Sequence, residues 1–201
     1  MNRSLLLVAL ILLPTLGFAQ KKETKDIFEE YTKSKTYSID GDNIVVSRVI
    51  NDVSGAKDDI YIKVKDFFTR NYKDANSVLQ TDDKASGVLI GKGYYDNVYV
   101  LKALGVVNTV LKTYHILRVD IKDGRIRVIC SADTWEEYRG NGKLDEKVRI
   151  IDYAPITDKR FFDKGKQMDA FVNLIDRMQN TIDNLEETVK KGSLSVESED
   201  W

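Results

Sequence analysis

The sequence predicts an α+β domain: a curved antiparallel sheet of about five strands, in the order strand, helix, four strands, helix, with the long C-terminal helix packed on the sheet. Three observations predict it. Residues 114–132 alternate apolar and polar on both sides of Asp123-Gly124, the strongest short-range hairpin signal. Residues 57–72 carry Ile60, Val64, Phe67 and Phe68 at helical spacing. Between Lys164 and Lys191, Met168, Phe171, Ile175, Met178, Ile182, Leu185 and Val189 recur at intervals of 3 and 4, the seam pattern of a coiled coil.

The chain opens on a targeting signal. Arg3 supplies a positive start, Leu5 to Leu13 an apolar run, and Gly17 and Ala19 the small residues at −3 and −1 of a cleavage before Gln20. The apolar run is too short to span a bilayer, which takes roughly 20 residues, and no later stretch approaches that length. No Cys follows the cleavage site, so the expectation is an exported, periplasmic, soluble protein that is not a lipoprotein. Loss of Arg3 takes the 31 Lys and Arg to 30 against 32 Asp and Glu, a mature net charge of 30 − 32 = −2. That balance lacks the basic footprint of a nucleic-acid-binding protein. Cys130 is the only cysteine, so no intramolecular disulfide forms even in an oxidising compartment.

Residues 20–42 read as a charged, weakly attached leader in which Ile27, Phe28 and Tyr31 are the main apolar groups. A single α+β domain is expected over 43–192, followed by an acidic tail at 193–201. Asn43 to Ile50, rich in Ile and Val between Gly41 and Asn51-Asp52, is the first strand. The first helix runs from about Lys57 to Tyr72, with Ser54 near its cap and Asp58 and Asp59 in its first turn. Ser77 to Thr81 and Gly87 to Tyr95 follow as strands around a polar turn at Asp82 to Ser86, the second running on past a break at Asp96-Asn97. Gly105 and Asn108 argue for a loop over Leu104 to Leu111. With a two-residue type I′ turn, the hairpin pairs Ile121 with Ile126, Val119 with Val128, Leu117 with Cys130 and His115 with Ala132 on one apolar face. Lys122–Arg125, Asp120–Arg127, Arg118–Ile129 and Ile116–Ser131 occupy the other. Lys147 to Asp152 could add an edge strand. Gly140 to Lys143 reads as an exposed turn and Pro155 as a boundary. Lys190-Lys191-Gly192 closes the long helix with cations and an αL residue at its negative end.

Chemistry is scarce in the chain. His115 is the only histidine, which leaves no His-based metal site, and its place on the apolar face reads as a core histidine. Gly87-Val88-Leu89-Ile90-Gly91-Lys92-Gly93 lacks the Ser or Thr and the following helix of a phosphate loop; strand glycines that permit a bulge or twist explain it. Asp40-Gly41-Asp42-Asn43 and Asp82-Asp83 are oxygen-rich but lack the spacing of an EF-hand, and read as turns. In Trp135-Glu136-Glu137-Tyr138-Arg139, adjacent carboxylates on an extended chain point to opposite faces and cannot flank one glycosidic bond. This stretch reads as a solvated strand end, with a sugar-binding or partner-binding lip as the sharper reading.

The middle of the chain resembles the bacterial family of exported proteins called domain of unknown function 4468. The residues that carry the resemblance are Lys57-Asp58-Asp59-Ile60-Tyr61, Phe67-Phe68-Thr69-Arg70-Asn71-Tyr72, Ser77-Val78-Leu79-Gln80 and Ser86-Gly87-Val88-Leu89-Ile90-Gly91-Lys92-Gly93, within residues 43–135. Phe67-Phe68 stand where the family has a tryptophan late in the helix. The resemblance implies a TBP-like, helix-grip arrangement; it transfers no catalytic residue, and a fold alone implies no DNA binding.

These readings lead to a non-enzymatic binding or interaction module, without cofactor or metal, whose partner is an unidentified protein or a small apolar ligand. A cavity between sheet and helix would be walled by Leu117, Cys130, Phe171, Ile175 and Met178; a filled core is the alternative. The heptad seam from Met168 to Val189 offers a further reading, an assembly protein that forms a homodimer through this helix.

Overall fold

The computed structural model describes residues 24–72, 79–103, 106–140, 142–152 and 164–191. The targeting segment, Pro155 and the acidic tail therefore lie outside the described residues. Among the described residues the sheet has eight strands rather than five: β1 (Ser38–Asp40), β2 (Asn43–Ile50), β3 (Leu79–Asp83), β4 (Val88–Ala103), β5 (Val106–Lys122), β6 (Arg125–Ala132), β7 (Thr134–Arg139) and β8 (Lys143–Arg149). The helices are α1 (residues 24–33), α2 (Lys57–Asn71) and α3 (Lys164–Lys191). Strands run in the order β1-β2-β6-β5-β4-β3, and β7 pairs with β5 and β8. Every pairing is antiparallel.

The central hairpin has the register that the alternation predicts, from Ile116 opposite Ser131 to Lys122 opposite Arg125. Two details differ. The expected His115–Ala132 pair does not form, because the chain leaves β6 through Asp133 and β7 takes over as the neighbour of β5 at Lys112–Glu136. Nor is the turn type I′, since φ is positive at Gly124 (71°) but not at Asp123. Asp123 is occupied elsewhere: its Oδ1 accepts the Lys57 backbone N–H at 2.8 Å and so caps α2 from the hairpin.

The expected loop over Leu104 to Leu111 is largely strand. Val106 and Val107 pair with β4 and Thr109 to Leu111 with both β4 and β7, while Asn108 falls at the irregularity between these two runs and accepts the Gly140 N–H at 3.1 Å; pairing on both sides overrides the propensity that argued for a loop. Asp82 and Asp83 belong to β3, leaving a shorter turn than the composition suggested. The leader is not loose either. Phe28 and Tyr37 meet the Phe171 ring edge-on at 5.9 and 4.9 Å, and the Tyr31 hydroxyl donates to Asp176 at 2.5 Å. Asp40-Gly41-Asp42 is the turn between β1 and β2, with Gly41 at φ 58°.

Both α2 and α3 lie on one face of the sheet. Ile60, Val64, Phe67 and Phe68 of α2, and Phe171, Ile175, Met178, Ile182, Leu185 and Val189 of α3, are buried with Leu117, Val119, Val128 and Cys130 of the hairpin. The α3 seam is thus covered by the chain's own sheet and by α2, which leaves it unavailable to a second copy. Arg48, on the same face of β2, reaches Asp183 and Glu186 of α3 at 2.5 and 3.1 Å. The opposite face of the sheet carries no helix among the described residues.

Candidate functional site

The five side chains expected to wall a cavity sit together, but inside the core. Leu117, Cys130, Ile175 and Met178 have no exposed surface and Phe171 has almost none. Phe28 and Tyr37 pack on Phe171, and the Cys130 thiol lies 3.5 Å from the Tyr95 hydroxyl. Burial pushes this thiol up to about 12, so it stays protonated and unreactive at neutral pH.

His115 is a core residue, with one irregularity. Its ring stacks on Tyr95 at 3.9 Å, and its Nε2 shares a 3.0 Å hydrogen bond with the Tyr72 hydroxyl, but its buried Nδ1 has no partner. Burial lowers its pKa from 6.5 to about 4. The strand glycines exist for these rings. A Cβ on Gly93 would fall within 2.5 Å of both His115 and Tyr72, and one on Gly91 would overlap Phe68. The bulge beside these glycines lies on β3, where Gln80 is the extra residue between the Leu79–Gly91 and Thr81–Ile90 pairs, and not on the glycine-bearing strand itself.

The uncovered face offers the better site. Strand alternation and register place Tyr94 beside Tyr114, Lys92 beside Ile116 and Ser131, Ile90 beside Arg118 and Ile129, and Asp120 beside Arg127. Tyr94 and Tyr114 are 39 % and 46 % exposed with ring centroids 4.6 Å apart, and Lys92 Nζ lies 4.1 Å from the Tyr114 centroid. Next to them is a groove of about 300 Å³ lined by residues that include Asn43, Lys92, Tyr114, Ile116, Glu136 and Lys147.

One wall of that groove is a fixed polar cluster. Glu136, only 5 % exposed, accepts hydrogen bonds from the Tyr94 and Tyr138 hydroxyls at 3.1 Å each and an ion pair from Lys147 at 2.6 Å. Burial raises its pKa, but the bonds from Lys147, Tyr138 and Tyr94 outweigh that and hold the carboxyl below its ordinary range. Glu137 points the other way and pairs with Arg139 at 2.6 Å. The two carboxylates do lie on opposite faces as the extended chain requires, but both are buried, so this is no solvated strand end. The cluster orients Tyr94 rather than supplying a reactive base, because Glu136 has its oxygens engaged. Among the described residues no group of three metal-ligating side chains occurs.

A second, shallower groove of about 210 Å³ lies at the hairpin end of the same face, lined by Val49, Asp120, Lys122, Arg125, Ile126 and Arg127. Sequence reading missed this face because each residue on it looks like an ordinary solvated strand position. The signal was present in the register: counting back from Asp123-Gly124 and across to β4 is what brings two tyrosines together.

A curved antiparallel sheet covered on one face by helices, the longest of them C-terminal, is a TBP-like α+β protein. Residues 47–131 match the family described as a domain of unknown function (DUF4468) with TBP-like fold. Two crystal structures are similar. A DUF4468 family protein from Bacteroides ovatus ATCC 8483 shares 18 % identity over 75 % of this chain and 90 % of its own, with a TM-score of 0.54. A TBP-like protein from Parabacteroides distasonis ATCC 8503 shares 12 % over 74 % and 96 %, with a TM-score of 0.53. At these identities the likeness concerns the fold alone. A search of curated proteins found no match.

Proposed function

We propose that this chain is an exported, non-enzymatic binding module that presents the helix-free face of its sheet to a ligand. The observation that carries the reading is the exposed Tyr94–Tyr114 pair beside a groove of about 300 Å³, with Tyr94 fixed from behind by Glu136. Ligand sites combine apolar and aromatic walls with a few oriented polar groups in clefts of about this size. The scarcity of catalytic groups fits binding rather than turnover: the single histidine and single cysteine are both buried in the core. Export is supported by the residues before Gln20.

Native mass spectrometry of protein purified from its own envelope tests the reading. The mature chain is expected to begin at Gln20 and to carry an associated mass that the Tyr94→Ala/Tyr114→Ala protein lacks. The same associated mass on both proteins, or none on either, rules out this face as the binding surface.

A further inference from the structure

The outward positions of β4, β5 and β6 carry six cations, Lys92, Lys112, Arg118, Lys122, Arg125 and Arg127; Asp96 pairs with Lys112 at one end, Asp120 lies between Arg118 and Arg127, and Glu136 of the neighbouring β7 is paired with Lys147. The whole chain has a net charge of −1, so positive charge is concentrated on the one sheet face that no helix covers. Asp120 is shared: Arg118 reaches it at 2.9 Å and Arg127 at 2.6 Å. That triad keeps a net positive charge, and among the described residues Lys92, Lys122 and Arg125 have no carboxylate partner.

The cations also form a track. Cross-strand register places Lys92 level with Ile116, Arg118 two residues further along β5, Arg127 level with Asp120, and Arg125 level with Lys122. Each successive outward row along β5 from Ile116 to Lys122 therefore holds at least one cation. Six residues of β-strand separate the first row from the last, about 20 Å. Between the cations lie half-buried aliphatic side chains, Val45, Ile90, Ile116 and Ile129, and the Tyr94–Tyr114 pair flanks the Lys92 end.

From this arrangement we infer that the face binds a linear acidic polysaccharide, one that carries carboxylates along a chain of sugar rings. The inference rests on the binding-face reading above and names its ligand class. Carboxylates pair with Lys92 and with the guanidinium and ammonium groups at the hairpin end, where Arg125 is free for planar, bidentate recognition. The apolar faces of the rings lie on the aliphatic rows and on the tyrosines, which offer rigid amphipathic surface at low entropic cost. Export would place the protein among polysaccharides.

The test is titration calorimetry of the folded protein with oligogalacturonate of about ten units, long enough to cover the track. Neutral maltodextrin and oligothymidylate of similar length serve as comparison probes. Oligogalacturonate is expected to bind, to weaken with added salt, and to lose about tenfold or more in affinity in Lys92→Ala/Lys122→Ala/Arg125→Ala. Lys25→Ala/Lys190→Ala/Lys191→Ala removes the same charge from the helices and is expected to bind as wild type does. Equal losses in the two triple variants would reduce the effect to bulk electrostatics and overturn the inference. Oligothymidylate binding as tight as the uronate would assign the face to nucleic acid instead. Equal binding of maltodextrin would remove the role of the cations. No binding of oligogalacturonate by wild type also overturns the inference, while the binding-face reading then still stands or falls by the mass-spectrometric comparison of the tyrosine variant.

Discussion

Gly93 shows how a residue that looks permissive is in fact required. Its missing side chain leaves room for the His115 and Tyr72 rings, which a Cβ would approach to 2.3 and 2.4 Å. Gly93→Ala is expected to cost about 1–3 kcal/mol, the usual penalty for overpacking a filled site, read as a lower urea midpoint with an unchanged slope. Sequence reading found the glycines but not their reason, because Phe68, Tyr72 and His115 come from elements distant in the chain. His115 gives a second expectation. Its folded pKa, about 4, lies below the ordinary 6.5, so the unfolded chain takes up this proton first. The stabilisation is complete above pH 6.5, falls as pH drops from 6.5 to 4, and levels off below. A shift of this size corresponds to something on the order of 3 kcal/mol. Urea unfolding at pH 7 and at pH 4.5 checks it: wild type should lose more stability between the two than His115→Gln, and parallel losses would show that other groups dominate.

At the scale of elements, local pattern was readable wherever one face of a strand or helix meets the core. The hairpin register, the limits of α2 and the extent of α3 follow from periods of 2 and 3.6. The pattern failed where pairing rather than propensity decides. Thr109 to Leu111 of β5 become strand because β4 and β7 bond them from both sides, and no composition rule announces a strand with two such neighbours. The turn failed in an informative way, too. Asp-Gly does make a two-residue connection, but the Asp123 carboxylate is aimed at the first turn of α2, where it accepts from Lys57 N–H. With Ala56 at the N-cap, the helix has no cap of its own from that residue, so the hairpin supplies one. Asp123→Ala should therefore destabilise the protein by about 1 kcal/mol, and Asp123→Asn, which keeps an acceptor oxygen, by less. If thermal unfolding gave both variants the same midpoint as wild type, the bond would carry no stabilisation.

The two faces of the whole molecule set different rules for substitution. On the helix-covered face, the buried seam of α3 and the apolar side of the hairpin join α2 in one core, so a truncation there is felt by every layer. Met178 has no exposed surface, and Met178→Ala should cost about 2–5 kcal/mol, the range for emptying a filled apolar site. On the open face Tyr114 is 46 % exposed, and Tyr114→Ala should change stability by no more than about 1 kcal/mol. The contrast separates the two locations considered for a ligand. An interior pocket walled by Leu117, Cys130, Phe171, Ile175 and Met178 would be hollow, and shortening one wall of a hollow site removes fewer contacts than shortening a side chain in a filled one. Urea denaturation of the two single variants is the measurement. A large loss for Met178→Ala beside a small one for Tyr114→Ala is expected when the interior is structural and the open face is free to evolve toward a ligand. Near-equal, small losses would point the search for the ligand back between sheet and helix.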